Sequence, residues 1–392
     1  MSLSLRVLLL GALLSTASLR AVYAPVPERT QAKDLTLSVR AALAHDSNLF
    51  GAATGEIDSV VWTVAPFVGY RTSLTPQTFF DSSYELTLDR FQNRPGKKLL
   101  DSHQAVLRVA QAFSSATSLE VRDEFTIARN PASLLNGVPL NPDQSVKRNQ
   151  LDGRFSTPIA SRATATVKAR SGYFAYRNPI LARSLDRTEN LFGLAADYNL
   201  LPEIKAVGEY RHQDVSYRKL GETKNKSSDF LMAGADYAVA RKLSLSTRLG
   251  AEWRRRAAER DSTSPYAEVS AKYDYASRSF LAGGYAYTFE ETADTARFTD
   301  IKVNRLFVNV QHALSALVVG SGSVTYESGT LQGRRRVADV AERTFRAGAA
   351  LSYLPTKNWI VTGSLDHDHV SSDDAVRRLN RNRVSVGATF SF

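Results

Sequence analysis

The sequence ends with Arg383-Val-Ser-Val-Gly-Ala-Thr-Phe-Ser-Phe392, and this stretch decides the fold class. Apolar residues occupy every second position of it, namely Val384, Val386, Ala388, Phe390 and Phe392. Since the side chains of a strand point alternately to opposite faces, the pattern predicts a strand with one apolar and one polar face. A chain that stops on an aromatic residue inside such a strand is typical of the closing strand of a transmembrane β-barrel. A soluble β-protein that ends on a strand is the alternative.

The amino terminus resembles an export signal. Arg6 precedes an apolar run from Val7 to Leu19, and small residues follow. The run is shorter than the ~20 apolar residues of a spanning helix, so it predicts a secretory signal peptide over residues 1–24. Val22-Tyr-Ala24 and Ser15-Thr-Ala17 are alternative cleavage sites, and an uncleaved anchor is the remaining alternative. A short periplasmic segment, 25–32, is then expected to lead into a single barrel domain, 33–392.

The composition narrows the class of protein. Hydrophobic residues make up 43% of the chain, and no other stretch approaches the ~20 apolar residues of a spanning helix. A barrel needs no such stretch, because it spreads its lipid-facing residues over alternate positions. The chain has no cysteine, which suits transit through an oxidising periplasm. The formal net charge is +11, but the basic residues are scattered singly, and export argues against nucleic acid as a partner.

Turn signals recur about every 40 residues and alternate with longer polar stretches. Short turns are predicted near 73–76, 114–117, 158–161, 201–202, 239–241, 276–277, 315–316 and 355–357. Long loops are predicted near 45–57, 91–101, 129–148, 175–186, 218–227, 256–264, 292–301, 331–341 and 371–380. Together they predict an all-β, antiparallel, up-and-down transmembrane barrel of about 18 strands, within a range of roughly 16 to 20. The first strand is expected near Lys33–Ala44, and both termini in the periplasm.

Aromatic residues crowd the short turns, where they predict an interfacial aromatic girdle. The set is Tyr70, Phe79, Phe113, Phe155, Tyr198, Tyr237, Tyr273, Tyr275, Phe280, Tyr353, Trp359 and Phe392. The general abundance of aromatic residues in strands is the alternative explanation.

The segment His45-Asp-Ser-Asn-Leu-Phe50, followed by Asp58-Ser-Val-Val-Trp-Thr-Val-Ala-Pro-Phe-Val-Gly-Tyr70, resembles the start of the putative β-barrel porin 2 family. The positions that carry the resemblance are Asp46, Asn48, Leu49, Phe50, Asp58 and Pro66. The resemblance implies a Gram-negative outer-membrane barrel with a porin role and no catalytic residues, and some members of the family are associated with exopolysaccharide systems. Phe392 is similar to the terminal residue that the barrel-assembly machinery reads in such proteins.

Strand alternation also predicts which charged side chains line the lumen. Acidic residues are expected there on early strands, at Asp81, Glu85, Asp89, Glu120 and Glu124. Basic residues are expected there on middle strands, at Arg154, Lys168, Arg170, Lys205, Arg211, Arg248 and Arg254. Placed on different walls, these groups would set a transverse field across a pore, with a lean towards anions. That they are solvated lumen residues without such an effect is the alternative.

The longest polar stretch, about 129–148, is a candidate constriction loop. Its prolines stiffen it and its leucines need a surface to bury against: Pro131, Leu134, Leu135, Pro139, Leu140 and Pro142. A long loop with apolar content needs somewhere to pack, so we expect it to fold into the lumen and narrow it. Packing on neighbouring loops is the alternative.

A catalytic or metal site has only weak signals. His367-Asp-His369 lies near Ser371 and Ser372, and both histidines are predicted on the lipid side of a strand. A rim hydrolase or a two-histidine metal site would use such groups, but rim histidines near lipid headgroups are the plainer interpretation. The sequence contains no phosphate loop, nucleotide fingerprint or zinc pattern. Neither an enzyme nor a cofactor nor a bound metal is therefore predicted.

The prediction from sequence is a porin-like channel for the passive diffusion of small hydrophilic solutes. The first alternative is a structural or exopolysaccharide-export barrel, and the second is a lipid-modifying barrel enzyme. The partners expected are outer-membrane lipid and lipopolysaccharide, the assembly machinery, the diffusing solutes and further copies of the chain.

Overall fold

A computed structural model describes residues 34–392 apart from 130–144, 241, 293, 295 and 335. Within those residues, eighteen antiparallel strands form one sheet. The strands β1 to β18 are Leu35–Asp46, Ser59–Thr75, Thr78–Phe91, Leu99–Ala112, Ser118–Ala128, Val146–Ala160, Ala163–Tyr176, Arg187–Leu201, Ile204–Tyr217, Lys226–Ala240, Leu243–Arg256, Ser262–Ala276, Ser279–Glu290, Phe298–Ala313, Val318–Gly333, Val340–Tyr353, Trp359–Ser372 and Leu379–Ser391. Short helices α1 (Pro179–Leu185) and α2 (Gly221–Lys224) and one 3-10 turn (Ala375–Arg377) lie between strands.

The sheet is closed into a barrel. Each strand pairs with its neighbours in the chain, and β1 pairs with both β2 and β18, from Ser38 opposite Ser391 to Asp46 opposite Arg383. Closure leaves no strand with an unpaired edge of amide and carbonyl groups. The predicted class, the up-and-down order and the strand number are confirmed. The first strand spans Leu35–Asp46, close to the predicted position, and Lys33 lies outside the described residues.

The two ends of the barrel differ, as the alternation of turns and loops predicts. Short connections such as Pro76–Gln77 and Pro202–Glu203 lie at one end, which we call the short-turn end. The described long connections lie at the other end, which we call the long-loop end.

The helices at the long-loop end were not predicted. Helix α1 starts because Asn178 accepts a hydrogen bond from the Ile180 amide at 2.9 Å and Pro179 occupies its first turn.

The outer face of the barrel is apolar. Large side chains stand exposed there, among them Leu365 (59%), Trp62 (58%) and Leu249 (58%). Their strand neighbours point inward and are mostly buried or partly buried. The small clusters of buried apolar side chains lie at the long-loop end, around Leu49, Leu181 and Phe298. Among the described residues, none of the helices is both long and apolar enough to cross a membrane.

Two members of the predicted aromatic girdle point into the barrel instead of outward. Phe79 shares the face of Asp81, and its ring lies 5.9 Å from the Arg108 guanidinium carbon. Phe280 lies 5.3 Å from the ammonium group of Lys272. The prediction of an outward ring was wrong for these two, because nearness to a turn does not determine the face of a strand. Tyr70, Tyr198, Tyr237, Tyr353, Trp359 and Phe392 are exposed.

Candidate functional site

The barrel interior is the candidate site. The structure places all twelve charged residues named above on the inward strand face: Asp81, Glu85, Asp89, Glu120, Glu124, Arg154, Lys168, Arg170, Lys205, Arg211, Arg248 and Arg254. Each alternates along its strand with residues of the exposed outer face, such as Tyr84, Val167 and Leu249. Their role as pore lining stays a prediction.

Three of the five acidic residues on the early strands, Asp81, Glu120 and Glu124, are paired with arginines, whereas Glu85 and Asp89 accept hydrogen bonds from threonines and have no ion pair among the described residues. Arg71 Nε lies 3.2 Å from Asp81, and Arg122 Nη2 lies 2.9 Å from Glu124. Arg108 donates to Glu120. This wall is therefore not a continuous negative surface, since each of these three carboxylates has a cation beside it.

Five of the seven basic residues on the middle strands are paired in the same way, and within the described residues Arg154 and Lys205 form no ion pair. Glu209 on β9 is the centre of one network, with a side chain only 2% exposed. It accepts from Lys168 Nζ at 3.0 Å and from Arg211 Nε at 2.7 Å. A second guanidinium nitrogen of Arg211, Nη1, donates to the Tyr266 hydroxyl at 3.4 Å, and that hydroxyl donates to Glu268 at 2.9 Å.

Further pairs repeat this pattern on neighbouring strands. Arg170 lies 2.5 Å from Asp152, Arg248 lies 2.9 Å from Asp236 and Arg254 lies 2.6 Å from Glu252. Opposite charges a few ångströms apart cancel at longer range, so the field of such a wall falls off faster than that of single charges. This arrangement gives no support to the transverse field and anion lean that the sequence suggests.

At the long-loop end, one connection reaches across the barrel interior. It comprises residues 291–297 apart from 293 and 295, joins β13 to β14, and is called the mouth bridge below. Glu291 accepts a hydrogen bond from the Tyr217 hydroxyl at 2.6 Å and forms an ion pair with Lys226. Tyr217 and Lys226 belong to β9 and β10, three or more strands away from β13, so the bridge bends inward over the lumen.

Asp300, at the base of the mouth bridge on β14, is held by three cations. Its carboxylate is completely buried and accepts from Lys226 Nζ at 2.6 Å, from Arg256 Nε at 3.1 Å and from Arg254. A buried carboxylate requires such compensation, because taking an unpaired charge out of water is costly. The three cations in turn fix the base of the bridge against β10 and β11.

The other side of the mouth bridge contacts the connection between β17 and β18. Arg297 donates to Asp294 at 2.6 Å and to Asp374 at 2.7 Å. Burial alone would raise the pKa of the Asp374 carboxyl, but hydrogen bonds from Arg297 and the Val376 amide lower that pKa below its usual value. Phe298 follows directly and is completely buried. The bridge thus joins opposite parts of the mouth.

Two further segments fold inward at the same end. Asn48, completely buried, donates to the carbonyls of Ala52 at 2.8 Å and Asn380 at 3.1 Å, which shapes the connection between β1 and β2. Leu49 then packs against Phe91 and Leu100 on the inner wall. Two of the residues that carry the family resemblance therefore have structural roles at the mouth: Asn48 shapes a loop and Leu49 anchors it.

Leu181 and Leu185 of α1 pack against Tyr176 in the same manner, inside the mouth. The predicted constriction loop is a different segment: Pro131, Leu134, Leu135, Pro139, Leu140 and Pro142 lie outside the described residues. Sequence reasoning missed the mouth bridge. Its one local signal is a high density of charged residues in a short loop, at Glu291, Asp294 and Arg297.

All six histidines of the chain point outward. They are His45, His103, His212, His312, His367 and His369. The rings of His367 and His369 stack 6.4 Å apart at 4°, and His367 Nδ1 lies 2.8 Å from the Asn382 side-chain oxygen. Within the described residues, neither ring forms a hydrogen bond with Ser371 or Ser372. The described part of the chain also contains no group of three or more metal-ligating side chains.

A closed eighteen-stranded antiparallel barrel with an apolar exterior and a charged interior defines a porin-like barrel. A family model described as "Putative beta-barrel porin 2" matches residues 281–392, which cover β13 to β18. The resemblance predicted from the sequence is confirmed, but the match lies in the carboxy-terminal strands and not at Asp46–Pro66. A comparison with curated proteins found no match.

Solved structures show the same fold. A BenF-like porin from Pseudomonas fluorescens Pf-5 superposes with a TM-score of 0.52 at 11% identity, over 92% of this chain and 99% of that one. Pseudomonas aeruginosa OpdK with vanillate gives 0.49 at 12% identity, over 92% and 99% of the two chains. Pseudomonas aeruginosa OccK2 (OpdF) in complex with glucuronate gives 0.47 at 12%, over 92% and 98%. At 11% identity the likeness to the BenF-like porin concerns the fold alone.

Proposed function

We propose that the protein is an outer-membrane channel of a Gram-negative bacterium for the passive diffusion of small hydrophilic solutes. The observation that carries the proposal is the division of charge between the two faces of the closed barrel. Charged side chains such as Lys168 and Glu209 point inward, whereas Leu249 and Leu365 are exposed outward. A barrel of about 18 strands is wide enough for an aqueous lumen. The family match and the porin fold support the proposal.

The narrowest part of the path is proposed to lie at the long-loop end. There the mouth bridge crosses the interior and is tied to both sides by Asp300 and Arg297. The loop at about 129–148 remains a second proposed constriction. Because eight of the twelve predicted lining charges are paired locally and the other four are two acidic and two basic residues, we propose weak charge selection, in contrast to the anion preference predicted from the sequence.

Planar-bilayer recording of the refolded full-length protein tests the proposal. Stable conductance steps in potassium chloride, with a reversal potential near zero in a salt gradient, are the expected result. A reversal potential strongly displaced towards that of chloride would support the anion preference predicted from the sequence. A correctly folded barrel without conductance steps would overturn the channel.

A structural or exopolysaccharide-export barrel is the second candidate. The observation that favours it is the covering of the mouth, where the mouth bridge, α1 and the loop around Leu49 all fold inward. Such a barrel would show no conductance steps in a planar bilayer and would conduct only when the contacts of the mouth bridge are broken. The lipid-modifying enzyme has less support, because His367 is bonded to Asn382 and no hydrogen bond joins a serine to either rim histidine in the described part of the chain.

Recognition of the last residue by the assembly machinery is also proposed. Phe392 is 64% exposed on the outer face at the short-turn end, and its ring packs edge-on against Phe390 at 4.8 Å. An exposed terminal aromatic group is available to a receptor until the barrel enters the membrane.

A further inference from the structure

A groove of about 260 Å³ opens on the outer surface at the long-loop end. It lies between the β1–β2 connection, at Ala53 and Glu56, and the outer ends of β17 and β18. The polar groups that line it on the strand side are His369, Ser371, Arg378 and Asn380. His369, Ser371 and Asn380 point away from the lumen, since their strand neighbours Val370 and Leu379 are buried inside. The groove is therefore separate from the proposed channel.

The polar side chains of this groove are largely without partners. Within the described residues, the His369 ring, the Ser371 hydroxyl and the Asn380 side-chain amide form no hydrogen bond or ion pair. Arg378 donates from Nε to the Ser372 carbonyl at 3.0 Å, which uses one of its five N–H groups. Beside the groove lining, Arg343 on β16 stands directly opposite Ser371 in the strand ladder, and the described residues give it no counter-ion.

The chemistry of this set suits an oxyanion. Two guanidinium groups, an imidazole, a hydroxyl and an amide all donate hydrogen bonds, and guanidinium binds phosphate oxygens in pairs. Glu56 is the one carboxylate of the lining, and it lies on the opposite rim. A catalytic serine–histidine pair would need a hydrogen bond between the two groups, which His369 and Ser371 do not form.

The position of the groove points to a lipid. On the same outer face, the exposed apolar side chain of Phe345 (38%) stands opposite His369, and those of Leu365 (59%) and Val384 (51%) lie two outward positions further towards the short-turn end, beyond the pair His367 and Asn382. A molecule bound by the donors would extend directly over this apolar surface. An anionic headgroup joined to acyl chains satisfies both parts of the surface at once.

We propose that the groove binds the phosphate of a phosphorylated lipid in the outer leaflet, beside the seam between β18 and β1. The proposal rests on the outer-membrane placement of the proposed function and is independent of whether the barrel conducts. Arg343 and Arg378 supply the charge, and His369, Ser371 and Asn380 supply directed hydrogen bonds. The acyl chains lie on the exposed apolar surface formed by Phe345, Leu365 and Val384.

The test uses the full-length barrel in nanodiscs of zwitterionic phosphatidylcholine that contain a fixed fraction of bisphosphorylated lipid A. After transfer to a zwitterionic detergent, native mass spectrometry counts the lipid A molecules retained. The double variant Arg343→Gln/Arg378→Gln removes the cation that lines the groove and the one beside it, opposite Ser371. Arg255→Gln is the matched control, since Arg255 is also an outward arginine near the long-loop end but is paired with Asp229 at 2.5 Å.

We expect the wild type and Arg255→Gln to retain lipid A, and the double variant to bind it about tenfold more weakly or worse. Equal retention by the double variant would overturn the proposal. So would equal retention of dephosphorylated lipid A, which would assign the binding to the acyl chains alone. Displacement of lipid A by inorganic phosphate at the same concentration would show that the acyl chains contribute nothing, and would overturn the assignment to a lipid.

Folding is checked for each variant by the heat-dependent shift of the barrel on a denaturing gel. Should the double variant fail to fold, His369→Ala and Asn380→Ala remove donors while leaving both arginines, and each should weaken retention. Retention unchanged in both would count against the site. Single-channel recording of the same samples separates the two proposals, because loss of lipid binding at this outer groove should leave conductance unchanged.

Discussion

Arg381 on β18 donates to both carboxylate oxygens of Asp46 on β1, from Nε at 2.9 Å to Oδ1 and at 3.1 Å to Oδ2. The two side chains are only 2% and 6% exposed. They lie at the seam where the last strand closes against the first, next to the ladder pair Asp46 and Arg383. An ion pair buried in this place depends on both partners, because either charge alone would be left without compensation.

Replacement of Arg381 by Gln should therefore destabilise the barrel by roughly 3–5 kcal/mol, the usual cost of an unpaired buried charge. The measurement is the urea midpoint of unfolding in lipid vesicles. Arg255→Gln is the control, because the Arg255 side chain is 60% exposed and its pair should contribute less than about 1 kcal/mol. Equal midpoints for the two variants would show that the seam does not depend on this pair.

Replacement of Asp300 by Asn should loosen the mouth bridge. Lys226, Arg254 and Arg256 would then be held together without the buried anion between them, at a cost of roughly 3–5 kcal/mol. We expect larger and noisier single-channel conductance, and faster cleavage by trypsin after Arg297. Asp261→Asn, at an exposed loop position, should change neither property. Conductance equal to that of the wild type would mean that the bridge does not limit the path.

Replacement of Glu209 by Gln should make the channel more selective for anions. The change leaves Lys168 and Arg211 without the carboxylate that both contact, so the local wall becomes more positive. The reversal potential in a potassium chloride gradient should move towards that of chloride. Glu203→Gln, which removes an exposed carboxylate at a short turn, serves as the control. A shift of equal size in both variants would contradict the assignment of Glu209 to the path.

Replacement of Gly250 by Ala should impair folding. A Cβ atom at Gly250 would overlap the carbonyl oxygen of Leu231 on the paired strand, and a backbone atom cannot move aside without breaking the ladder. A loss of at least about 3 kcal/mol is expected, at or beyond the upper end of ordinary overpacking. At Gly153 an added Cβ meets nothing within 4 Å, so Gly153→Ala should fold normally. The folded fraction on a denaturing gel without heating compares the two.

The strands were predictable because their signal is local. The alternation that places Val384 and Val386 outward recurs in every hairpin, and the short turns fall where Pro76 and Pro202 interrupt it. The same parity assigns inward faces to charged residues such as Lys168 and Glu124. A two-residue period is a property of neighbouring positions, so no knowledge of the fold is needed to read it.

The mouth was not predictable for the opposite reason. Arg297 and Asp374 are 77 residues apart, and nothing near either residue indicates its partner. Phe298 looks like any strand aromatic, although its complete burial depends on loops from several hairpins. The wrong prediction of an outward ring for Phe79 has a related cause. The density of aromatic residues near a turn does not indicate on which face of the strand a side chain lies. Pairing between distant loops depends on which loops meet in the folded barrel, and the two-residue period of the strands does not indicate it.

The outward placement of all six histidines has a consequence for how the barrel responds to its surroundings. Because every imidazole stands on the outer face, none of them borders the proposed path of the solutes. Replacement of any one histidine by glutamine should therefore leave the permeability to solutes unaltered, while it changes the surface that faces the lipid.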